Sequence, residues 1–500
     1  MNPLVSDARA GAIFPNARIE ELPASSAFVA AQAVRFGPAE KLFVAGCLSG
    51  LAYIAIALFF WTDAVFTRDW KTIVVKMMGV GIPAILYLYG IRFARRTPLR
   101  VIIGFAVLFA VVGCVTLPFD STDAFFYIAD GWRQFHYGQN PYSDLMRDIP
   151  HFDADRIISN RWMAMNKNPW LDSPFPYGFG FAIATRTIAW IGAGNLWGML
   201  ALLNVLNLSA HIGMTVLLWK TARFVPGADP RLVLYLYTWN PIVLTQSLAN
   251  AHNDILMAFG ILAAAYFVLS DNPKWSIPVL VLAGLIKYGA FILLPFACLV
   301  TFRSQGVKAA LKASVFGGLL GALAMAPYWP RDGSFKYQLL FLQTTESGGS
   351  LHAFAATLFR LAGRVYAPLA SMVGPAASGL QIALGLGFLC FLIHQFLQAA
   401  RSPISADATI QTWTTLLFAA ICIVSPQFYS WYLVILTPLA VLSAGTFFGR
   451  AALVLTATHV LAFADLRRKS IGYFAACTLL PMVFLYWRDR RDAKQKSGAA

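Results

Sequence analysis

The sequence predicts an all-α polytopic membrane protein, a bundle of about 12 to 14 membrane segments with one large outer loop. Of its 500 residues, 58% are hydrophobic and only 12% are charged, whereas a soluble domain carries about 25% charged residues. The mean hydropathy is +0.62. Apolar runs long enough to cross a bilayer core of roughly 30 Å recur along the chain. These observations indicate one membrane domain rather than several soluble ones.

The recurring apolar runs are expected to be membrane helices. They cover residues 42–61, 72–91, 100–118, 195–219, 232–248, 254–270, 309–328, 378–398, 409–425, 430–448, 450–464 and 471–487. The first run is too long for the apolar part of a cleaved signal peptide, so we expect a retained membrane helix there.

Two further segments do not fit a simple span. Residues 178–191 form a short segment that includes Arg186, and loop charge favours a helix lying in the outer interface. Residues 275–301 contain two prolines and Lys287 between basic flanks. We expect a broken hairpin that enters and returns on one side. Non-helical backbone at that depth needs cover from protein or water, so this hairpin should line a cavity.

The formal net charge of +16 gathers in short loops between apolar runs, such as residues 92–96 and 488–491. A basic soluble protein would suggest nucleic acid as a partner, but the excess of Lys and Arg in cytoplasmic loops explains this charge. The prediction is a multi-pass membrane protein. Its parts are a cytoplasmic tail over 1–40, one transmembrane domain over 41–487 with an outer loop over 119–177, and a basic cytoplasmic tail over 488–500.

The run Arg467-Arg468-Lys469 falls on the outer side in this topology. Two explanations stay open. The loop is short enough for its orientation bias to be overruled, or these cations face an anionic lipid group.

The outer loop is rich in carboxylates. It holds eight aspartates, at positions 120, 123, 130, 144, 148, 153, 155 and 172. Most are expected to be solvated loop residues. Asp120 and Asp123 differ, because they lie at the end of an apolar run, where partial desolvation raises the pKa of a carboxyl towards that of a useful base. Asp123 is therefore the first candidate base and Asp120 the second, and Tyr127 would share the helix face of Asp123.

A second polar group lies in the run Ala251-His252-Asn253-Asp254, between two apolar runs. Asn253 or Asp254 is suited to cap the following helix. His252 and Asn253 offer groups that suit sugar hydroxyls or a phosphate. One histidine is too little for a metal site, and the six cysteines lie in apolar segments without metal-ligand spacing. No metal and no cofactor are predicted.

Two more sites stand out. Lys287 is isolated within an apolar segment, where a lysine either snorkels to an edge or is functional. Gln427 and Trp431 lie in the outer stretch 425–432. An aromatic belt explains the rings there, and Gln427 indicates a shaped cavity mouth.

Several short stretches resemble the GT-C superfamily of integral membrane glycosyltransferases. Within it the sequence is most similar to the bacterial polyprenol-phosphate-mannose-dependent α-mannosyltransferases, the MptA/MptB and PimE-like group. The matching stretches are Asp123-Ala-Phe-Phe-Tyr127, Gly138-Gln-Asn-Pro-Tyr142, Pro176-Tyr-Gly178, Asn240-Pro241, Ala251-His-Asn-Asp-Ile-Leu-Met257, Lys287 before Pro295, and Trp431-Tyr432. The sequence departs from the group in having extra spans before the outer loop and Phe179 in place of the usual proline. The resemblance implies the bacterial inner membrane as the location.

The resemblance implies a GT-C-type bundle that moves a hexose, most often mannose, from a polyprenyl-phosphate donor to a hydroxyl of an envelope glycolipid or glycan. Transfer would occur at the outer face, with inversion at the anomeric carbon. Asp123 holds the position of the family's general base. We assign the donor phosphate to Lys287, His252, Arg467 and Arg468. The sugar and acceptor walls are assigned to Tyr127, Tyr142, Asn253, Asp254, Gln427 and Trp431.

Two other classes of function are weighed against this one. A transporter or lipid-linked-sugar flippase also has broken helices and a buried lysine, but no inverted repeat is visible and the polar residues gather at one face. A non-catalytic scaffold of envelope assembly would tolerate the loss of Asp123.

Overall fold

The computed structural model describes residues 36–62, 69–160, 169–329, 349–464 and 471–498. The described residues form helices and turns without a strand, which confirms the all-α prediction. The tail predicted over 1–40 lies largely outside these residues.

The α-helices follow the predicted apolar runs closely. They are α1 (Pro38–Thr62), α2 (Trp70–Ala94), α3 (Leu99–Val115), α4 (Asp123–His136), α5 (Phe179–Gly192), α6 (Leu196–Thr221), α7 (Pro230–Thr238), α8 (Pro241–Leu244), α9 (Asp254–Leu269), α10 (Ser276–Gly284), α11 (Leu294–Gln305), α12 (Val307–Met325), α13 (Leu351–Val365), α14 (Pro368–Ser371), α15 (Val373–Arg401), α16 (Ala406–Phe418), α17 (Leu433–Leu442), α18 (Phe447–Thr458), α19 (Ile471–Phe474) and α20 (Leu480–Gly498).

Within the described ranges, seven helices are long and apolar enough to cross a membrane, and an eighth is counted if one bent pair is a single span. Other predicted spans are shorter apolar helices, including α3 and α18. The predicted span 232–248 is divided, because the side chain of Asn240 caps α8 through the N–H groups of Ile242 and Val243. Proline at the next position has no N–H to continue the preceding helix.

The bent pair places a sharp corner in the middle of the chain. After α8 the backbone widens into one turn of π-helix over Thr245–Ala249, and α9 then leaves at an angle of 118°. Ala251 at the corner has a φ of +53°, which is uncommon for a residue with a side chain and costs roughly 1–3 kcal/mol. We call residues 245–254 the corner.

The segment after α9 is the predicted broken hairpin. Helix α10 ends at Gly284, an extended residue at Lys287 follows, and a 3₁₀ segment leads into α11. Gln305 at the end of α11 donates a side-chain hydrogen bond to the carbonyl of Asp271 at 3.3 Å. The two ends of the hairpin therefore lie at the same end of the bundle, with Lys287 at its tip.

Helix α5 is fitted against this tip. The Gly178 N–H donates to the carbonyl of Ile286 at 3.0 Å, and the Phe181 N–H donates to that of Leu285 at 3.2 Å. A Cβ on Gly178 would lie 2.3 Å from the Leu285 oxygen. Only glycine permits this approach, so the start of α5 and the hairpin tip are held together by backbone contacts.

Most aspartates of the outer loop stabilise the loop itself. Asp130 is fully buried and pairs with Arg133 at 2.6 Å. Burial raises the pKa of Asp130 despite the opposing effects of Arg133 and Gln134. Asp144 accepts from the N–H of Asn140. Asp155 accepts from the side chains of Trp132 and Tyr137 and from two backbone N–H groups. The expectation of a solvated residue is wrong for Asp130, because it is buried and paired with Arg133. Asp144 and Asp155 are partly buried and bind other groups of the loop.

Basic residues collect at the end of the bundle away from the hairpin tip. Arg95 and Arg231 line one surface groove beside the end of α6. Arg303 donates to the carbonyls of Ala399 and Ser402 at the end of α15. We call this the basic end. The excess of cations there matches the pattern of cytoplasmic loops in membrane proteins.

Candidate active site

Four segments that are distant in sequence meet at the other end of the bundle. They are the start of α4 at Asp123, the corner, the hairpin tip at Lys287, and the 3₁₀ turn Ser430–Tyr432. The side chains of Asp123, His252, Lys287 and Trp431 come together here. The sequence analysis had singled out one functional residue in each segment.

Asp123 begins the amphipathic helix α4. Its Oδ1 accepts a hydrogen bond from the Ser121 hydroxyl at 2.8 Å, and its Oδ2 lies 3.5 Å from Nδ1 of His252. The side chain keeps 12% of its surface exposed. It is therefore held in a defined position and is still reachable from outside.

The raised pKa expected for Asp123 is not found. Burial does raise the pKa of this carboxyl, but the imidazole of His252 lowers it, and Ser121 and Lys287 lower it further. The net pKa lies below its ordinary value. The prediction was wrong because two of these opposing groups, His252 and Lys287, come from other parts of the chain. Asp123 is consequently an ionised carboxylate at neutral pH.

His252 is fully buried and is oriented by an aromatic stack. Its ring lies 4.2 Å from that of Trp431, at an interplanar angle of 14°, and Trp431 stacks in turn on Tyr429 at 4.3 Å. The backbone carbonyl of His252 accepts a hydrogen bond from Nδ2 of Asn207, which also donates to the backbone carbonyl of Ser247. Asn207 in α6 thus clamps both sides of the corner.

Lys287 and Asp254 form the second charged pair of the site. Lys287 Nζ lies 2.7 Å from Asp254 Oδ1, with 16% of the lysine side chain and none of the aspartate side chain exposed. The ammonium also lies over the rings of Tyr177 at 5.3 Å and Tyr432 at 5.0 Å. Lys287 is held in place by protein groups. It is a cation held in an aromatic cage with part of its surface free.

The helix-capping interpretation of Asn253 and Asp254 is wrong. Asn253 occupies the position before α9, but its side chain makes no capping hydrogen bond. Asp254 Oδ1 binds Lys287 instead. Both side chains are fully buried, so neither is explained by the start of the helix alone.

Several buried polar atoms around this point have no hydrogen-bond partner among the described residues. They are Oδ1 and Nδ2 of Asn253, Oδ2 of Asp254, Oε1 of Gln246, Oγ of Ser247, Oδ1 of Asn207 and Nε2 of His252. Buried polar groups are normally paired, and a cluster that is not paired requires an explanation. Donors and acceptors in such a concentration suit a ligand that carries many hydroxyl groups.

Asp120, the second candidate base, forms hydrogen bonds with the corner through both its side chain and its backbone. Its Oδ2 accepts from Nε2 of Gln246 at 3.0 Å, and the same amide donates to the Ser430 hydroxyl at 2.9 Å. The N–H groups of Phe119 and Asp120 both donate to Oδ1 of Asn250. Geometry therefore favours Asp123 over Asp120 as the reactive carboxylate.

The tyrosines predicted as sugar and acceptor walls occupy different layers. The Tyr127 hydroxyl lies 3.2 Å from that of Tyr177. Tyr142 lies behind Tyr177, because its hydroxyl donates to the backbone carbonyl of Tyr177. The hydroxyl of Tyr288 donates to the same carbonyl. Sequence analysis quoted Tyr177 only as part of a motif. Its neighbours show it to be the ring around which this wall is built.

The comparisons with known proteins decide the family. The sequence profile of the family described as "Alpha-(1->6)-mannopyranosyltransferase, N-terminal domain" matches residues 34–303, which is more than half of the chain. The chain belongs to this family. The matched region contains Asp123, the corner and Lys287, whereas Trp431 lies beyond it.

The chain is similar to alpha-(1->6)-mannopyranosyltransferase A of Mycobacterium tuberculosis. It is 24% identical over 346 residues, which are 65% of this chain and 63% of the relative. The match therefore spans less than two thirds of the relative's length. No solved structure gives a significant match.

The remaining predicted site residues of this mannopyranosyltransferase-family chain are Gln427, Arg467 and Arg468. Gln427 bonds Ser425 through its backbone, on both the N–H and the carbonyl. Arg467 and Arg468 lie outside the described residues. Within the described part of the chain, no group of three His, Cys, Asp or Glu side chains is placed to hold a metal ion.

Proposed function

We propose that this protein is an inverting mannosyltransferase that uses a polyprenyl-phosphate-linked mannose as donor. The acceptor is a hydroxyl group of an envelope glycolipid or polysaccharide. The observation that carries this proposal is the pairing of an ionised, reachable Asp123 with a caged Lys287, on either side of a cluster of buried polar atoms without partners. Family membership supports the class of sugar and reaction.

The proposed reaction is a single displacement. The acceptor oxygen forms a bond to the anomeric carbon while the bond from that carbon to the phosphate oxygen breaks, and the hydroxyl proton passes to Asp123. A base in this position contributes typically about 10²–10⁴-fold. Asp123 with a low pKa suits a transfer in which the hydroxyl becomes acidic as its new bond forms, because the carboxylate is ionised whenever the acceptor arrives.

Lys287 would hold the donor phosphate. The donor phosphate diester carries one negative charge and the released polyprenyl phosphate gains a second, so a fixed cation is stabilising where charge develops. Lys287 donates one N–H to Asp254, and its other N–H groups are available to the phosphate. His252 adds a second donor nearby. The partner-less atoms of Asn253 and Asp254 would bind the sugar hydroxyls.

The distribution of Lys and Arg supports a proposal for the membrane face at which transfer occurs. The site lies at the end of the bundle opposite the basic end, and cytoplasmic loops carry the excess of Lys and Arg. The proposal is therefore a site that faces the periplasm or cell exterior, where a lipid-anchored donor needs no nucleotide-binding domain.

The test uses the full chain in nanodiscs with a radiolabelled polyprenyl-phosphate-mannose donor and an extract of envelope glycolipids. Wild type should transfer label, and Asp123→Asn should lower the rate about 10²-fold or more, the scale of a lost general base. Asp120→Asn is the matched control and should retain most of the activity. Equal rates for wild type and Asp123→Asn would overturn the assignment of the base. Donor counterflow in proteoliposomes without any product would overturn the transferase and favour a flippase.

A further inference from the structure

A cavity lies at the basic end, where Arg303 is part of its lining. It has a volume of about 470 Å³, within the range of roughly 300–1,000 Å³ that is common for ligand sites. Helices α11, α15 and α16 and the start of α18 form its walls. The predicted active site uses none of its residues, and the sequence analysis did not identify it.

The cavity lining has two distinct parts. Its apolar part includes Phe296, Phe391 and Trp413. Its polar part consists of side-chain amides and hydroxyls with one cation, and includes Gln395, Gln398, Ser402, Ser405, Thr412 and Arg303. Polar side chains within a membrane bundle are costly and usually face something polar. The lining therefore suits an amphipathic ligand better than an acyl chain alone or a soluble sugar alone.

Arg303 gives this polar part its charge. Its Nη1 donates to the carbonyls of Ala399 at 2.8 Å and Ser402 at 2.7 Å, which immobilises the guanidinium. Among the described residues no carboxylate pairs with it. The carboxylate nearest in sequence to the lining, that of Asp407, accepts from Gln411 and is not part of the lining. A fixed and uncompensated arginine with free N–H groups is a favourable site for a phosphate.

The ligand has open access from the membrane. Helix α15 forms one wall of the cavity, and none of its 29 residues is buried in the bundle. This helix is long and apolar enough to cross a membrane, so its outer side would face lipid and a lipid molecule would have a lateral path to the cavity. The position at the basic end also places it at the level of headgroups in one leaflet.

We propose that this cavity binds one anionic phospholipid from the leaflet at the basic end. The phosphate lies at Arg303, the headgroup hydroxyls lie among Gln398, Ser402 and Ser405, and the first part of an acyl chain lies against Phe296, Phe391 and Trp413. The bound lipid joins α15 to α11, α16 and α18. The proposal is independent of the transferase reaction.

The test measures retained lipid on the purified full chain by native mass spectrometry. Delipidated protein is supplemented with phosphatidylglycerol or with phosphatidylcholine of the same acyl chains. Wild type should retain one phosphatidylglycerol in preference to phosphatidylcholine. Arg303→Gln should weaken the retention of phosphatidylglycerol about tenfold or more, the effect of losing a charged hydrogen bond. Arg100→Gln, which removes another exposed cation at the basic end, should leave it unchanged.

A second variant separates ligand binding from the structural bonds of Arg303. Ala408 lines the cavity, and Ala408→Phe would fill the space while leaving Arg303 and its two carbonyl bonds in place. It should abolish lipid retention and leave the melting temperature of the delipidated protein unchanged. Equal retention by wild type and both variants would overturn the site. Displacement of the lipid by millimolar glycerol 3-phosphate would also overturn the proposal, because it would identify a soluble phosphate compound as the ligand.

Discussion

Lys287→Met tests whether the charged pair of the site is structural, functional or both. Methionine has a similar length but no charge. Asp254 is fully buried, its Oδ1 is bound to Lys287, and its Oδ2 has no partner among the described residues. The substitution would therefore leave a buried carboxylate without any hydrogen bond. Removing one partner of a buried pair costs about 3–5 kcal/mol. Because Lys287 is 16% exposed, water can replace part of the lost interaction, and we expect about 3 kcal/mol.

The double variant Lys287→Met, Asp254→Asn separates the two roles. It removes both charges, and replacing a buried pair by neutral groups is often close to neutral for stability, so we expect a return to within about 1 kcal/mol of wild type. Transfer should stay depressed by about 10²–10³-fold, because the cation that stabilises the leaving phosphate is still missing.

The measurements are thermal unfolding of the full chain, followed by intrinsic tryptophan fluorescence, and the nanodisc transfer assay. If the double variant recovers both stability and transfer, Lys287 serves only to neutralise Asp254. If Lys287→Met is as stable as wild type, the Asp254 carboxylate is not buried as described.

Three further outcomes follow from the site. Because the pKa of Asp123 is lowered, the folded protein favours the ionised form of this carboxyl. The contributions of Asp123 to stability and to catalysis should therefore be complete above the unfolded pKa of about 3.9. They should be lost only as the pH falls through the lower pKa of the folded state. A pH profile of transfer should thus show no acid limb from this group above about pH 4. Trp431→Leu should slow transfer about threefold to tenfold, because it removes the ring stacked on His252, an interaction of about 0.5–1.5 kcal/mol. Gly178→Ala should lower the free energy of unfolding by about 1–3 kcal/mol, since its Cβ would press on the Leu285 carbonyl, and thermal unfolding measures this.

Each of these outcomes has a matched control. An acid limb above pH 5 that moves in Asp123→Glu would show that the pKa of Asp123 is not lowered. Trp431→Phe keeps an aromatic ring and should be milder than Trp431→Leu, and equal effects would argue against stacking. Gly104→Ala meets no atom within 4 Å and should be harmless, so equal destabilisation by Gly104→Ala and Gly178→Ala would contradict the close approach at the hairpin tip.

The fold and the residues that meet at the candidate site were predictable from local sequence patterns. Apolar runs of membrane length identify helices, and Asp123, His252 and Lys287 are conspicuous as polar groups beside or within such runs. The broken hairpin was visible for the same reason, from its prolines and its basic flanks.

What the sequence could not reveal depends on contacts between distant segments. The pKa of Asp123 is set in part by His252, which is remote in sequence, and the same holds for the bond from Gln246 to Asp120. Tyr177 and Asn250 have ordinary neighbours and stand out only through their partners. Asp254 looked like a cap because its actual partner, Lys287, lies at the tip of the hairpin, 33 residues further along the chain. The cavity at the basic end arises from four helices, none of which carries an unusual motif.

The hairpin that carries Lys287 has a consequence for how the chain is threaded through the bilayer. Its two ends lie at the same end of the bundle, so the passage through α10 and α11 produces no net change of side. Every helix that follows has the same sidedness as it would if α10 and α11 were absent. The position of this cation is therefore adjustable through the length and tilt of one insert, without inverting the rest of the protein.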